Sequence, residues 1–328
     1  MKRNLTETIL RSGWALALLA GMLAPGAQAA ALHDGVVIDA DGGAAYVMSP
    51  QGGIDALDLT TGNVMWKSAA AAKPLLVKGG TLVAQARSGR SGELLVVALD
   101  AKRGAERERV AVEIPASLRA QVTDGPSQAF RVEAFSSADS IFVTWTAGLN
   151  LQGAQGALLT PEEPEGAVPN DSSINKRAAA AEPLRGAARL DLTAGRAVAL
   201  PFEKAQEMRA VAEKAGRRAD GPRRLTSLDG RHVLHSERSG ADKLWTPYRW
   251  TVTDAAGRTV GTVDAPVSMA PFVVSGSRIL YVAQPAMRVE GKKTIEEPLR
   301  LRALDLKTGA EMWSAVVTDT AYRGPFPP

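Results

Sequence analysis

One segment of the chain occurs twice, close to both ends. ALDLTTGNVMW spans residues 56–66, and ALDLKTGAEMW spans residues 303–313. Weaker copies lie at 98–108, 188–198 and 250–260. Repeats of about 20 to 50 residues are typical of solenoids and propellers, in which each unit is one supersecondary element that packs against its neighbours. The chain is therefore expected to be built from repeated units of one kind.

Each copy is the third in a group of four short strand-like segments. The segments are rich in β-branched and aliphatic residues and are separated by glycine-containing turns, which favours antiparallel strands. Five groups of four predict an all-β fold, a β-propeller of four-stranded antiparallel blades. Six or seven blades would also fit if one or two are too degenerate to detect. The predicted blades span about 33–70, 73–115, 128–203, 223–266 and 270–317.

One segment has helical rather than strand character. Residues 202–218 are rich in Ala, Glu, Lys and Arg, which are good helix formers. The segment predicts one short surface helix on a connection between blades. Its buried stripe is expected to contain Met208, Val211 and Ala212.

Three insertions interrupt the blades. Residues 148–187 and 285–298 separate the second and third strands of blades three and five, and residues 204–222 join blade three to blade four. In a propeller these connections all emerge on one face of the disc, and loops on a rigid scaffold often carry function. Insertions are also tolerated there without any role, so both interpretations stay open.

The insertion face collects nine basic residues, which form a candidate partner-binding face. They are Arg87, Arg90, Arg217, Arg218, Arg223, Arg224, Arg288, Lys292 and Lys293. The hypothesis is that this basic face binds an acidic peptide or protein segment. Glutamates share the same face, so its net field does not follow from the sequence. They are Glu162, Glu163, Glu165, Glu296 and Glu297.

The first 29 residues differ from the rest. Lys2, Arg3 and Arg11 precede an apolar run at 14–23, and small residues follow up to Ala29. This order predicts a secretory signal peptide, cut after about Ala29, with residues 30–328 forming a single propeller domain. The apolar run is about half of the ~20 residues that span a bilayer. The expected location is therefore periplasmic or secreted, without a permanent membrane span.

Cysteine usage and charge limit the classes of partner. The chain has no cysteine, so we expect neither disulfides nor a lipid attached at the cleavage site. The whole chain carries a formal net charge of +4, about half of which lies in the predicted signal peptide. The remainder is close to neutral, which does not favour nucleic acid as a partner.

The two sharp copies resemble the repeat of the pyrroloquinoline-quinone (PQQ) type propellers. The shared pattern is Ala-Leu-Asp at the end of the third strand, a Thr-Gly turn, and Trp in the fourth strand. At the position of Trp66, the weaker copies have Glu108, Ala199 and Thr262. The resemblance implies the propeller fold. The family contains quinone-dependent dehydrogenases, which have eight blades, a bound calcium and often adjacent cysteines, and it also contains non-enzymatic envelope scaffolds.

The repeat residues have a structural interpretation of their own. Asp accepts hydrogen bonds from backbone N–H groups across a tight turn, Gly supplies a positive φ, and Trp packs its apolar face on the next blade. The structural repeat positions are Asp58, Gly62, Trp66, Asp100, Gly104, Asp191, Gly195, Asp254, Gly257, Asp305, Gly309 and Trp313. We expect the copies near the two ends to meet at the seam that closes the ring, with Trp66 and Trp313 both acting there.

No catalytic or metal-binding constellation emerges from the sequence. The Asp39–Gly42 segment has the start of a calcium loop, but the residues that follow begin a strand, so a hairpin turn is expected. His232 and His235 are three apart and point to opposite faces of a strand. Neither a catalytic residue nor a cofactor is assigned.

The sequence favours an exported binding or scaffold module for protein or peptide partners in the cell envelope, without catalysis. The alternative is a small quinoprotein dehydrogenase or hydrolase with a site at the central channel. An enzyme would bring acid, base or metal groups together on the inner strands, and the sequence shows no such group.

Overall fold

A computed structural model describes most of the chain after the predicted signal peptide. The described residues are 30–87, 93–122, 130–147, 185–214, 224–239, 248–283, 287–290, 293–296 and 298–318. Their strands form five antiparallel blade sheets, four of which have four strands and one of which has five, and a separate sheet of two strands. The chain is an all-β propeller with five blades, as the repeat predicted.

Blades one and two are built from consecutive segments of the chain. The strands of blade one are β1 (Ala30–His33), β2 (Val36–Asp39), β3 (Ala44–Met48), β4 (Ile54–Asp58) and β5 (Val64–Ser68). The strands of blade two are β6 (Ala71–Lys78), β7 (Thr81–Ala86), β8 (Leu94–Asp100) and β9 (Glu106–Val112). A short 3-10 helix, Ala116–Gln121, follows blade two.

Blades three and four are joined through a helix. The strands of blade three are β10 (Phe130–Ser137), β11 (Ser140–Ala147), β12 (Arg185–Asp191) and β13 (Arg196–Leu200). The helix α1 (Phe202–Lys214) comes next. The strands of blade four are β14 (Arg224–Thr226), β15 (His232–Arg238), β16 (Tyr248–Asp254) and β17 (Thr259–Ala265).

Blade five contains an inserted hairpin. Its first two strands are β18 (Phe272–Ser275) and β19 (Arg278–Ala283), and the hairpin consists of β20 (Met287–Glu290) and β21 (Lys293–Glu296). The blade is completed by β22 (Arg300–Asp305) and β23 (Glu311–Val316). The insertion predicted between the second and third strands of this blade thus forms a separate two-stranded sheet.

The strand β1 is an addition that the repeat pattern did not predict. It pairs antiparallel with β2, with Ala31 opposite Val37, and it gives blade one a fifth strand at its inner edge. It also contacts the first strand of blade two, β6, and the second strand of blade five, β19. The segment therefore lies where the inner edges of several blades approach one another.

Apolar side chains between neighbouring blades form the core. Separate buried clusters join blade one to two, two to three, four to five, and five to one. The clusters include Val37 and Leu82, Val83 and Val143, Val252 and Phe272, and Leu280 and Val36. Blades five and one are thus in contact, as expected for the seam.

The buried side of helix α1 includes Met208, as predicted, but not Val211. Ala205 is fully buried and packs with Phe202 and Met208 against Phe135 and Phe142 of blade three. Val211, predicted to be in the buried stripe, is 68% exposed. The prediction was wrong there because the helix packs on blade three near its first turns. Within the described residues, no helix is long and apolar enough to cross a membrane.

Candidate binding site

The repeated aspartates organise the turn between the third and fourth strands. One carboxylate oxygen of Asp58 accepts hydrogen bonds from the backbone N–H groups of Thr60 and Thr61, at 2.9 and 2.8 Å. Gly62 closes the turn with φ of +73° and donates its N–H to the carbonyl of Asp58 at 2.8 Å. The hydrogen bond from Thr61 is the largest cause of the lowered pKa of Asp58. The carboxylate of Asp58 therefore serves as a hydrogen-bond acceptor within the turn.

The second sharp copy has the same geometry. Asp305 accepts from the N–H groups of Lys307 and Thr308 at 2.9 and 2.8 Å. The hydrogen bond from Thr308 is the largest cause of its lowered pKa. Gly309 has φ of +72°. The two sharp copies therefore form the same turn, and the weaker copy at Asp100 forms it too.

Trp313 of blade five docks on the turn of blade one. Its indole Nε1 donates to the carbonyl of Leu59 at 3.1 Å, and the side chain is 9% exposed. A Cβ atom added to Gly62 would lie 2.6 Å from Cγ of Trp313. The two sharp copies therefore meet at the seam between blades five and one.

Trp66 does not lie at that seam. Its Nε1 donates to the carbonyl of Ala101 in blade two at 3.1 Å, and a Cβ on Gly104 would lie 2.5 Å from its ring. The sequence interpretation placed both tryptophans at one seam, which was wrong for Trp66. The fourth strand of blade one docks forward on the next blade, as that of blade five does, so Trp66 joins blades one and two.

Other residues replace the tryptophan at two further interfaces. Glu108 of blade two covers Gly195 of blade three, where an added Cβ would lie 2.9 Å from a carboxylate oxygen. In blade four the backbone N–H of Thr262 donates to the carbonyl of Leu306 at 3.1 Å. Leu59, Ala101 and Leu306 each follow the repeated Asp directly. The carbonyl at this repeat position thus accepts a hydrogen bond from the preceding blade at three interfaces.

The interface between blades three and four lacks this contact in the described part of the chain. Ala199, an exposed residue, occupies the tryptophan position of blade three. An added Cβ on Gly257, in the turn of blade four, would meet no atom within 4 Å. No core cluster of described residues joins these two blades, and α1 covers the side of blade three with Phe135 and Phe142 instead. The described blades therefore pack in the order four, five, one, two, three.

An apolar pocket of about 410 Å³ lies between β1 and blades four and five. Leu32 lines it from β1, Tyr248 from the start of β16, and Val282 from β19. The loop 266–271 supplies the remaining wall, including Met269, which is 39% exposed. We call this the apolar pocket.

Trp250 holds the loop that borders the apolar pocket. Its Nε1 lies 3.1 Å from the carbonyl of Val267 and 3.0 Å from that of Ser268. The ring itself is fully buried and packs edge-on against Tyr281, with centroids 4.9 Å apart. A pocket with a fixed wall and a preformed volume is typical of binding sites in proteins.

A second pocket, of about 230 Å³, lies at the inner ends of blades one to three. Five ionic side chains line it: Asp34 after β1, Lys73 on β6, Arg131 and Glu133 on β10, and Arg209 on α1. Lys73 pairs with Asp34, and Arg209 pairs with Glu133. Arg131 also contacts Glu133, at 2.8 Å. We call this the ionic pocket.

The two pockets share His33, the last residue of β1. They therefore adjoin along β1, with apolar walls towards blades four and five and ionic walls towards blades two and three. Sequence reasoning missed both pockets because their residues come from distant segments. One signal was present: Lys73 interrupts an otherwise apolar strand, and Arg131 and Glu133 alternate along another. Charges at such positions face a polar cavity or each other.

The predicted basic face is described only in part. Arg87 follows β7 and Arg224 begins β14, and both are exposed. Arg288 and Lys293 lie on the two strands of the inserted hairpin, opposite Ile295 and Glu290. The other members, Arg90, Arg217, Arg218, Arg223 and Lys292, lie outside the described residues, as do Glu162, Glu163, Glu165 and Glu297. The basic face stays a prediction.

The candidate metal motifs have other roles. Asp39 accepts the N–H of Gly42 at 2.8 Å, which is the hairpin turn expected at this position. His235 contacts Glu237 at 3.1 Å on an exposed part of blade four. Among the residues that the structure describes, no three His, Asp or Glu side chains are grouped as metal ligands.

Comparisons with known proteins find only distant similarities. No protein-family model matches the chain, and no curated protein matches it. Among solved structures it is similar to BamB from Moraxella catarrhalis, with 15% identity, a TM-score of 0.27, and coverage of 85% of this chain and 59% of that chain. The chain thus spans 59% of the length of that BamB chain.

Two further solved structures illustrate the range of these similarities. The β-propeller domain of Cps50 (Swd1) from Myceliophteria thermophila shares 11% identity, with a TM-score of 0.26 and 88% of each chain covered. A europium-containing methanol dehydrogenase shares 13% identity, with a TM-score of 0.24 and 86% and 68% covered. At these TM-scores the similarities transfer neither an activity nor a partner, and the fold follows from the chain's own five sheets.

Proposed function

We propose that the protein is an exported β-propeller that binds a protein or peptide partner in the cell envelope. The observation that carries this proposal is the apolar pocket between β1 and blades four and five. Its volume of about 410 Å³ lies within the range of roughly 300–1,000 Å³ that is common for ligand sites.

The lining of the apolar pocket suits a large apolar side chain. Leu32, Val282 and the ring of Tyr248 offer apolar surface, and Met269 adapts to ligands of different shape. Burying one Leu or Phe side chain there would contribute about 1.5–3 kcal/mol. Two polar side chains, His33 and Ser268, also line the pocket.

Export is part of the same proposal. The N-terminal segment has the pattern of a signal peptide, and β1 begins at Ala30, directly after the predicted cleavage site. Processing at that site would leave β1, and hence both pockets, intact. N-terminal sequencing of the protein recovered from an envelope fraction would start at Ala30 or close to it.

The binding proposal is tested by filling the apolar pocket. The purified protein is used to capture partners from envelope extracts, in parallel with Ala270→Trp, which places an indole in the pocket wall. Ala256→Trp, on an exposed turn of blade four, is the matched control. We expect the captured partner to be lost with Ala270→Trp and retained with Ala256→Trp, at equal melting temperature.

Two results would contradict the proposal. One is capture that is unaffected by Ala270→Trp. The other is a stoichiometric complex with pyrroloquinoline quinone and calcium that reduces a dye, since this would indicate an enzyme with a site at the central channel.

A further inference from the structure

The turn between the third and fourth strands of blade four, residues 254–258, is exposed where other blades bury theirs. In blades one, two and five, the residue that follows the repeated aspartate is at most 3% exposed. These residues are Leu59, Ala101 and Leu306. In blade four the corresponding residue is Ala255, and both Ala255 and Gly257 are exposed. We call residues 254–258 the open turn.

The open turn has its complete hydrogen-bonded geometry without a group docked on it. One carboxylate oxygen of Asp254 accepts the N–H groups of Ala256 and Arg258, both at 2.9 Å. Gly257 has φ of +78° and donates its N–H to the carbonyl of Asp254 at 2.9 Å. No described residue donates a hydrogen bond to the carbonyl of Ala255. The turn therefore presents an accessible acceptor next to a glycine.

Blade three does not offer a tryptophan to the open turn. In blade one, Trp66 lies opposite Ala56, two residues before the repeated aspartate. The corresponding pair in blade three is Arg189 and Val198, because the pairing of β12 with β13 lacks the bulge found in blade one. Val198 is 41% exposed and has no N–H group in its side chain. Counting along the sequence instead gives Ala199, which is also exposed.

The covered turns show which side chain fits this geometry. The indole Nε1 of Trp313 donates to the carbonyl of Leu59 at 3.1 Å, and its ring covers the glycine of that turn. Trp66 makes the same contact with the carbonyl of Ala101, also at 3.1 Å, and covers the glycine of blade two. A carbonyl acceptor beside a residue without Cβ thus accommodates a flat ring that carries an N–H donor.

We propose that the open turn binds a tryptophan side chain of a partner protein. The carbonyl of Ala255 accepts the indole N–H, and the ring lies over Gly257, as in the two covered turns. Because the acceptor and the glycine are already in position, binding requires no rearrangement of the turn, which lowers the cost of ordering. The ligand is therefore an exposed tryptophan on a strand or an extended segment of the partner.

The tryptophan comes from a different protein rather than from a second copy of this chain. All tryptophans of the described residues pack within their own molecule. Trp145 is stacked on Phe130, with centroids 5.9 Å apart, and Trp250 is fully buried. Trp66 and Trp313 hold the interfaces between blades.

The open turn is a second site, separate from the apolar pocket. Tyr248, which lines the apolar pocket, begins β16, and Asp254 ends the same strand. A strand of seven residues is about 20 Å long, so the two sites lie at opposite ends of blade four. This inference therefore goes beyond the proposed function and can fail independently of it.

The test uses heteronuclear NMR spectroscopy of the isotope-labelled full protein. The probe is an acetylated and amidated peptide with the sequence of residues 311–316, which contains the tryptophan that covers the turn of blade one. A matched peptide has Ala in place of Trp. We expect the tryptophan peptide to shift the resonances of Gly257 through the ring current of the indole. The alanine peptide should bind at least about tenfold more weakly.

Matched variants locate the effect. Gly257→Asn adds a side chain where the ring would lie, and asparagine tolerates a positive φ. Gly80→Asn is the control, since Gly80 is exposed, has φ of +72°, and an added Cβ would meet no atom within 4 Å among the residues that the structure describes. We expect Gly257→Asn to abolish binding of the tryptophan peptide, followed at the amide of Ala255, and Gly80→Asn to retain it, at equal melting temperature.

Several outcomes would overturn the inference. They are equal binding of the two peptides, resonance shifts that leave Gly257 unchanged, and an equal loss of binding in Gly80→Asn. Self-association of the protein that is lost in Gly257→Asn, measured by sedimentation, would assign the open turn to a second copy instead. Failure here is distinguishable from failure of the proposed function, because Ala270→Trp should leave binding of the tryptophan peptide intact, and Gly257→Asn should leave capture through the apolar pocket intact.

Discussion

The carbonyl that follows each repeated aspartate is the residue-scale feature that joins the blades. It accepts the indole N–H of a tryptophan in blades one and two and the backbone N–H of Thr262 in blade five. The glycine of the same turn leaves room for the docking group, because it lacks a Cβ atom. The same turn therefore reverses the chain direction and forms the surface on which the preceding blade docks.

Substitutions at two glycines distinguish the contribution of chain reversal from that of blade docking. Gly62 and Gly257 have nearly the same φ, +73° and +78°, but only Gly62 is covered, by Trp313. Gly257→Ala is expected to cost about 1–2 kcal/mol from backbone strain alone. Gly62→Ala should cost about 1–3 kcal/mol more because Trp313 must move. Urea unfolding of both variants measures this difference, and equal costs would contradict the docking contact.

His232 predicts a pH dependence of stability. Burial is the largest cause of its lowered pKa, against the attraction of Asp229 and Asp254. Its Nδ1 is buried without a hydrogen-bond partner in the described part of the chain. Because the folded state holds the proton less tightly, stability is full above the ordinary pKa of 6.5 and falls as the pH drops below it.

The variant His232→Gln should reduce that fall. The free energy of unfolding is measured at about pH 7.5 and about pH 5.5 for the unsubstituted protein and for His232→Gln. His235→Gln is the control, because the side chain of His235 is 45% exposed. An unchanged pH dependence in His232→Gln would show that burial of this imidazole does not contribute.

At the scale of elements, the fourth strands of blades five, one, two and four dock on the turn of the next blade. Trp313 joins blade five to one, and Trp66 joins blade one to two. The helix α1 breaks this sequence after blade three. It packs Phe202 and Ala205 on the strands of that blade.

The two tryptophans are therefore expected to act independently. Trp313→Ala should cost about 3–5 kcal/mol because the side chain is nearly buried, and Trp66→Ala should cost less because it is more exposed. The double variant should lose the sum of the two costs, as distant sites do. Denaturant titrations give all three values. If the double variant lost much less stability than the sum of the two single losses, the two tryptophans would act at one shared interface.

Much of this element-level structure could be predicted from the sequence. The Asp-Thr-Gly turns encode local chain reversal, so the repeat predicted the blades and their number. The direction of docking could not be predicted, because Trp66 and Trp313 have nearly the same sequence context and only packing shows which blade each contacts. The buried side of α1 was predicted correctly at Met208 and wrongly at Val211, since the helix packs through its beginning, around Ala205.

For the whole molecule, the order of packed blades determines where the inner strands meet. Within the described residues the core runs through blades four, five, one, two and three, and β1 lies along the inner edges. The ionic and apolar pockets adjoin there. The sequence did not predict either pocket, because Lys73, Arg131 and Arg209 are brought together only by the relative placement of two blades and a helix.

The most direct test of partner binding at the apolar pocket is photo-crosslinking in living cells. A benzophenone amino acid replaces Met269, which is 39% exposed at the pocket, or Met312, which is 47% exposed on the outer strand of blade five. We predict that the Met269 site crosslinks to one defined partner segment and that the Met312 site does not. Crosslinks from Met312 alone, or equal crosslinks from both sites, would contradict binding at the apolar pocket.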